Sequence, residues 1–500
     1  MKGLLIFALV AAVAGFAWLS LPGLDQAQAP GASRQTVSGS GVVLGIDKEK
    51  GVVTISHGPL PALNMTAMTM GFPVKDRGQL SDLQPMQKVE FQLRYDGNDY
   101  LITEITVGHA DQPRSSMTLN GADAQFKRVL EKIQENSMGA ALSEVDRLIA
   151  RHPNFRLAHL VRGDLLLARA KPIEFFGNTG HAARERLDEL RAEALARLRA
   201  YTEHPPVDLV PRYLLKLGPR QKNAIVVDGD RSRVYVYENA NGTARLVQDY
   251  YTTLGKRGVD KALEGDQKTP IGVYQVTSRI PGSKLPDLYG WGALPINYPN
   301  EWDRLLGKTG YGIWLHGVPR DNYARAPWAS DGCIALANPD IKGLSKRVQV
   351  GITPVIIAER VEWVSPEALR KEREEFFRQL EAWRTDWESR DLDRYLAHYA
   401  RAFRSDSVDL SAWNEHKQRV NAGKTWIKVS LNNLSVFRSP GKQSLIAVTY
   451  DQDYRSNNLT QRTRKHQYWV MEDGRWKIAY EAPTRGAKVV LPESYPGKSR

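Results

Sequence analysis

Cysteine is nearly missing from this chain: its 500 residues hold one, Cys333. A lone thiol has no internal partner, which excludes a disulfide framework and leaves either inert packing or reactivity. Also missing are a Walker-type phosphate loop, paired zinc-ligand spacings and an RNA-recognition motif. The net charge of +13 therefore does not point to nucleic acid. A solvated basic surface accounts for most of that charge, with an acidic envelope as the remaining partner class. Beyond residue 30 no apolar run is long enough to span a bilayer.

What is present reads as several domains, because 500 residues exceed one ordinary core. Residues 1–29 open with Met1-Lys2 and an apolar run to about Leu24, and Ala27-Gln28-Ala29 has the small-residue pattern of a signal-peptidase site. Pro30 directly after it disfavours cleavage, so a cleaved signal and a retained membrane anchor both stay open. Either places the body of the chain outside the cytoplasm.

Residues 39–108 alternate in short strands, including Val42–Ile46, Val52–Ile55, Val89–Leu93 and Tyr100–Ile105, with a hairpin turn at Asp47–Gly51. So many strands in so short a stretch predict a small β-barrel. Within it lie His57-Gly58-Pro59 and Met65-Thr66-Ala67-Met68-Thr69-Met70. Met68 and Met70 share a face on a strand, where they either fill the barrel or, with an imidazole, hold a soft ion such as Cu(I) or Ag(I). The segment resembles the periplasmic CusF-like copper chaperones, which have an OB-type five-stranded barrel and a His…Asn-Trp-Pro-x-Met-Thr-Met pattern. That resemblance implies His57, Met68 and Met70 as ligands. Met65 stands where the family has a metal-capping tryptophan and is included as a further thioether ligand.

Residues 123–217 read as a helical spacer. Leu142, Val145, Leu148 and Ile149 share one face, and Leu187, Leu190, Ala194 and Leu198 another. Residues 141–164 faintly resemble one tetratricopeptide hairpin, a unit that cannot bury its own face and is expected to pack on its neighbour.

Residues 222–360 read as mainly β, with His316 ending the strand Tyr311–His316 and Cys333 just past a loop. A thiol nucleophile needs a nearby base, and histidine exchanges its proton near neutrality. Arg320, Tyr323, Arg325 and Trp328 are placed to line the intervening cleft. The blocks Lys268-Thr269-Pro270-Ile271-Gly272, Trp314-Leu315-His316-Gly317 and Ser330-Asp331-Gly332-Cys333 resemble, in order, the L,D-transpeptidase (YkuD) family. The resemblance implies Cys333 as nucleophile and His316 as base or imidazolium partner. It also implies an oxyanion and substrate loop containing Gly317, Ser330, Asp331 and Gly332, and catalysis without a cofactor. Asp331 replaces a second histidine of many members, and Ala335 replaces an arginine. The implied substrates are peptidoglycan stem peptides in the periplasm, with a second stem, a lipoprotein lysine or water as acceptor. Hydrolysis, and a non-catalytic wall-docking role for a copper-binding envelope protein, are the competing readings.

Residues 365–484 begin with helices, Ser365 capping the first and Pro366 in its first turn. Leu392, Tyr395, Leu396 and Tyr399 continue their apolar face. Strands then follow up to Trp476–Glu481. This order resembles the nuclear transport factor 2-like α+β cone, a fold that does not by itself imply an activity.

Overall fold

The computed structural model describes residues 35–81, 83–97, 99–108, 121–171, 173–177, 184–202, 208–406 and 408–484. The N-terminal signal or anchor expectation falls outside them. Among the described residues no helix is long and apolar enough to cross a membrane.

The first domain is one five-stranded antiparallel sheet. Its central strand, Gln35–Asp47, pairs with Val52–His57 along its second half and with Lys88–Tyr95 along its first. A register shift at Gly45 bends it so that one strand serves both sides, as β-bulges do. Met68–Pro73 and Tyr100–Val107 lie at the two edges, and a bridge from Val74 to Ile102 closes the sheet into a barrel. Alternation puts Val43, Val53, Ile55, Phe72, Phe91 and Ile102 inside.

Four helices follow, Gly121–Gln134, Met138–Arg151, Arg156–Ala168 and Arg184–Thr202. The first begins just ahead of the stretch 123–217 read as helical from the sequence. Their core takes in Val42 and Met86 of the barrel on one side, and Tyr323 and Ala337 of the next domain on the other. A buried ionic cluster completes the second contact. The Arg197 guanidinium bonds Asp123 and Glu193 and stacks 4.1 Å over Tyr251, while Arg233 bonds Asp123 at 3.1 Å and also Asp249. Such groups tolerate burial because they are mutually paired.

The third domain is built on the five-stranded order 272–275, 354–358, 223–228, 233–240, 243–251. Ile225 and Val227 point into one core, Ala224 and Val226 into another. Burial on both faces explains their unbroken apolar sequence. Against the first core packs a smaller sheet, Ile280–Pro281, Gly292–Pro295, Trp314–His316 and Ile334–Ala335.

The last domain sets the helix Pro366–Ser389 against a six-stranded sheet around Phe376, Trp383, Tyr450 and Trp469. Ser365 accepts from the Ala368 amide, as its N-cap pattern predicts. Two elements differ from the sequence reading. Tyr399 starts a strand, Tyr399–Ser405, rather than continuing a helix, and Leu410–Ala422 is a helix with no earlier counterpart. The chain is thus a multidomain protein of mostly β content.

Candidate active site and metal site

His316 and Cys333 are brought together by a short parallel pair. Leu315 is opposite Ile334 and His316 opposite Ala335, which places Cys333 just before the paired segment, level with Trp314. Leu315 and Ile334 enter the core, so the alternate residues Trp314, His316 and Cys333 share the other face. His316 is buried, and its Nδ1 lies 2.5 Å from the Gly317 carbonyl oxygen. A carbonyl can only accept, so Nδ1 carries the proton and Nε2 keeps its lone pair. Burial pushes the imidazole down to about 4, helped by the charge of Arg325.

The half-buried Cys333 donates from Sγ to the Gly312 carbonyl at 3.3 Å. Burial pushes its thiol up to about 11, and Asp331 adds to the rise, against a lowering by the Trp314 backbone. Both shifts favour a neutral imidazole and a neutral thiol in the resting pair.

Ser330 Oγ donates to the Cys333 carbonyl at 2.6 Å and accepts the Gly332 amide at 3.1 Å. It shapes the loop, while the imidazole is held by Gly317. Gly332 adopts φ +122°, and a Cβ there would sit 2.7 Å from the Lys268 carbonyl oxygen. Gly332→Ala is expected to cost about 1–3 kcal/mol in backbone strain. Displacement of the thiol should lower turnover about a hundredfold. A thermal melt read beside a turnover assay checks both. Asp331 is exposed and bonds Lys256 at 2.9 Å, so it closes the loop from outside and does not supply a second imidazole-like partner.

One expectation needs correction, and one residue facing His316 had no motif to flag it. Tyr323 does not line the cleft: it is buried against Phe155, ring centroids 4.6 Å apart, where the helices dock. Arg320 is exposed and pairs with Asp287 at 3.5 Å, in the turn that also carries Tyr289. Tyr289, which no motif flagged, stands edge-on to His316 at 5.0 Å and against Trp314 at 5.0 Å. Burial, with the Cys333 thiolate as second cause, raises its hydroxyl to about 12, so it stays a hydrogen-bond donor at neutral pH. The only sequence cue is a turn-forming Pro286-Asp287 and Gly290 around an aromatic.

In the barrel, His57 pairs opposite Met68, and Ile55 opposite Met70, so His57, Met68 and Met70 share a face. His57 is buried, its Nδ1 lies 2.7 Å from the Gly58 carbonyl, and Nε2 has no hydrogen-bond partner. A buried imidazole lone pair left unsatisfied beside thioethers fits a soft ion. Met68 is exposed and Met70 half-buried. Met65 sits at the neck of the preceding loop, its backbone paired with Leu60, and packs partly against the barrel core. In both sites the carbonyl of the glycine after a histidine fixes the tautomer and frees Nε2.

The sequence matches three family models in order: the copper binding periplasmic protein CusF over residues 36–107, the L,D-transpeptidase catalytic domain (YkuD) over 222–357, and the Cds6 C-terminal NTF2-like domain over 375–482. Cation efflux system protein CusF of Escherichia coli strain K12 is 38% identical over 76 residues, 15% of this chain and 69% of that protein. The solved structure of Bdellovibrio bacteriovorus Bd1075 is similar at TM-score 0.50 and 30% identity, covering 55% of this chain and 98% of that one. The helical cell shape determining protein Pgp2 from Campylobacter jejuni follows at TM-score 0.47 and 24% identity, covering 54% and 95%. The chain therefore carries, in order, a CusF-like domain, an L,D-transpeptidase (YkuD) catalytic domain and an NTF2-like domain.

Proposed function

We propose that this protein is a periplasmic enzyme that cross-links peptidoglycan, acting on tetrapeptide stems through a cysteine acyl-enzyme. The observation that carries the reading is the commitment of His316 Nδ1–H to Gly317, which leaves Nε2 as a base on the face it shares with Cys333. As Sγ attacks the carbonyl preceding the terminal D-alanine, the thiol proton passes to Nε2 and the carbonyl electron pair moves onto oxygen. Gly332's amide is engaged by Ser330, which leaves the Cys333 amide to donate to that oxyanion, with the Tyr289 hydroxyl on the same face as a second donor. Collapse breaks the C–N bond, and D-alanine leaves with the proton from Nε2. An amine of a second stem then attacks the thioester, gives its proton to Nε2, and the thiol re-forms.

A neutral resting pair has a measurable signature. Thiolate forms only as pH approaches about 11, so iodoacetamide should alkylate Cys333 about tenfold faster per pH unit from neutrality upward. Turnover, which uses His316 as a base down to about 4, should stay level over the same range. A pre-formed thiolate–imidazolium pair would instead give alkylation that is already flat at neutral pH.

The CusF-like domain supports an envelope location and a Cu(I) or Ag(I) site made by His57 Nε2, Met68, Met70 and Met65. When bound there, the ion supplies no chemistry to the transfer. We place the domain as a guard for the catalytic thiol, and the NTF2-like domain as a substrate-positioning or partner module. The deciding experiment incubates the protein with tetrapeptide muropeptides and resolves the products by mass spectrometry. Dimers with loss of D-alanine support transfer between stems, and tripeptides without dimers mean that water is the acceptor. Unchanged muropeptides would favour the copper-binding, wall-docking alternative.

A further inference from the structure

Asn338 lies outside every motif above, yet its amide sits where the two halves of the candidate site meet. Its Oδ1 accepts the backbone N–H of Trp291 at 2.8 Å, and its Nδ2 donates to the Val318 carbonyl at 2.8 Å. Both neighbouring glycines are shaped to it. A Cβ on Gly290 would come within 2.1 Å of Asn338 Oδ1, and one on Gly317 within 2.2 Å. Gly290 reaches that position with φ +54°, at the end of the short turn Asp287–Tyr289. The side chain thus clamps the turn that carries Tyr289 to the segment 316–318 that carries the Gly317 carbonyl. Tyr289 faces His316 from one side, and the Gly317 carbonyl fixes its Nδ1 proton from the other.

We infer that Asn338 is a positioning residue, holding Tyr289 and the Gly317 carbonyl around His316 so that Nε2 is presented to Cys333. The inference rests on the proposed roles of His316 and Cys333 for its kinetic consequence, but not for its structural one. Asn338 reaches no reacting atom. It acts through two backbone groups, each one or two residues from a group that touches the imidazole. A carboxamide suits the place because it offers one acceptor and one donor in a fixed plane. Asp and Leu have nearly its shape, but Asp keeps only the acceptor and Leu keeps neither.

The test uses the full chain with Asn338→Leu and Asn338→Asp. The first readout needs no substrate: the ¹⁵N and Nδ1–H resonances of His316, and the proximity of its ring to Tyr289, by NMR. The parent should show a hydrogen-bonded Nδ1–H tautomer. Asn338→Leu should show exchange broadening or a mixed tautomer, with Tyr289 no longer close. The second readout is turnover of tetrapeptide muropeptides, where kcat should fall about a hundredfold, as expected for an angstrom-scale misplacement, while KM stays within about twofold. Asn338→Asp should fall less at low pH, where a protonated carboxyl can again donate to Val318, and more as pH rises. An unchanged His316 tautomer and Tyr289 contact in folded Asn338→Leu would overturn the inference. Unchanged kcat in both variants would overturn it too. If the parent turns over no muropeptide, the proposed function fails while the NMR readout still decides the role of Asn338. If Asn338→Leu does not fold, Asn338→Asp, which keeps the Trp291 bond, carries the same comparison.

Discussion

Cys333→Ala is expected to abolish D-alanine release from tetrapeptide muropeptides, lowering the rate by about 10⁴-fold or more while leaving the fold intact. Loss of a nucleophile that forms a covalent intermediate typically costs that much, since the remaining oxyanion donors and binding contacts retain only a small part of the acceleration. The substitution is structurally mild. Cys333 is half-buried and its thiol donates to the Gly312 carbonyl, which can take a water instead. His316→Gln should be nearly as damaging, because an amide can still donate to Gly317 but provides no lone pair basic enough to accept the thiol proton. The two losses should not add, since both groups serve one proton transfer. Mass spectrometry of intact protein after brief exposure to muropeptide supplies the direct check: an acyl adduct on the parent and none on Cys333→Ala. Full activity in Cys333→Ala would remove the thiol from the reaction.

The residues legible in the sequence are those whose chemistry is written in a short window. Residue type and spacing leave His57 with Met68 and Met70, and His316-Gly317 with Ser330–Cys333, open to inert packing; it is the resemblance of those short windows to known families that singles them out, and the family matches cover the same windows. Tyr289 and Asn338 could not be read that way. Tyr289 reaches His316 because a left-handed glycine turns the chain back under Asn338, a contact set by tertiary packing rather than by any local period. Tyr399 follows Tyr395 and Leu396 at helical spacing, which favoured a helix. The short helix Leu392–Leu396 nevertheless ends there, and His398, tied to Asp386 at 2.8 Å, leads into a strand. The helix Leu410–Ala422 was hidden for the opposite reason. It buries Lys417, whose ammonium lies among Trp387, Trp413 and Tyr395, so its inward face is not apolar in sequence. Tyr323 was assigned to the cleft by proximity to Cys333 along the chain, whereas the helical domain claims it from 168 positions away, at Phe155.

Met68→Ala combined with Met70→Ala should weaken Cu(I) binding by at least about a hundredfold, on the scale of losses that follow disruption of a metal's ligand environment, and leave turnover in copper-free buffer unchanged. The same variant should lose activity at lower copper concentrations than the parent. A thiolate is a softer and stronger ligand for Cu(I) than a thioether, so at equilibrium an isolated Cys333 would capture the ion. Two features of the structure weaken that competition. The thiol stays protonated until about 11, so copper must displace a proton at Cys333 but not at the thioethers, and the buried Nε2 of His57 has no hydrogen-bond partner to give up. The barrel is also held close to the catalytic domain through the helices, by Val42 and Met86 in the helical core and by Arg199 bonded to Ser56 at 2.6 Å. A tethered site acts at an effective concentration that free chaperone would reach only in the millimolar range. Titrating Cu(I) against turnover, for parent and double variant at equal protein concentration, measures the protection as a shift in the half-inhibitory concentration. Coincident curves, with the metal affinity lost, would mean that the barrel serves another partner and does not guard the thiol.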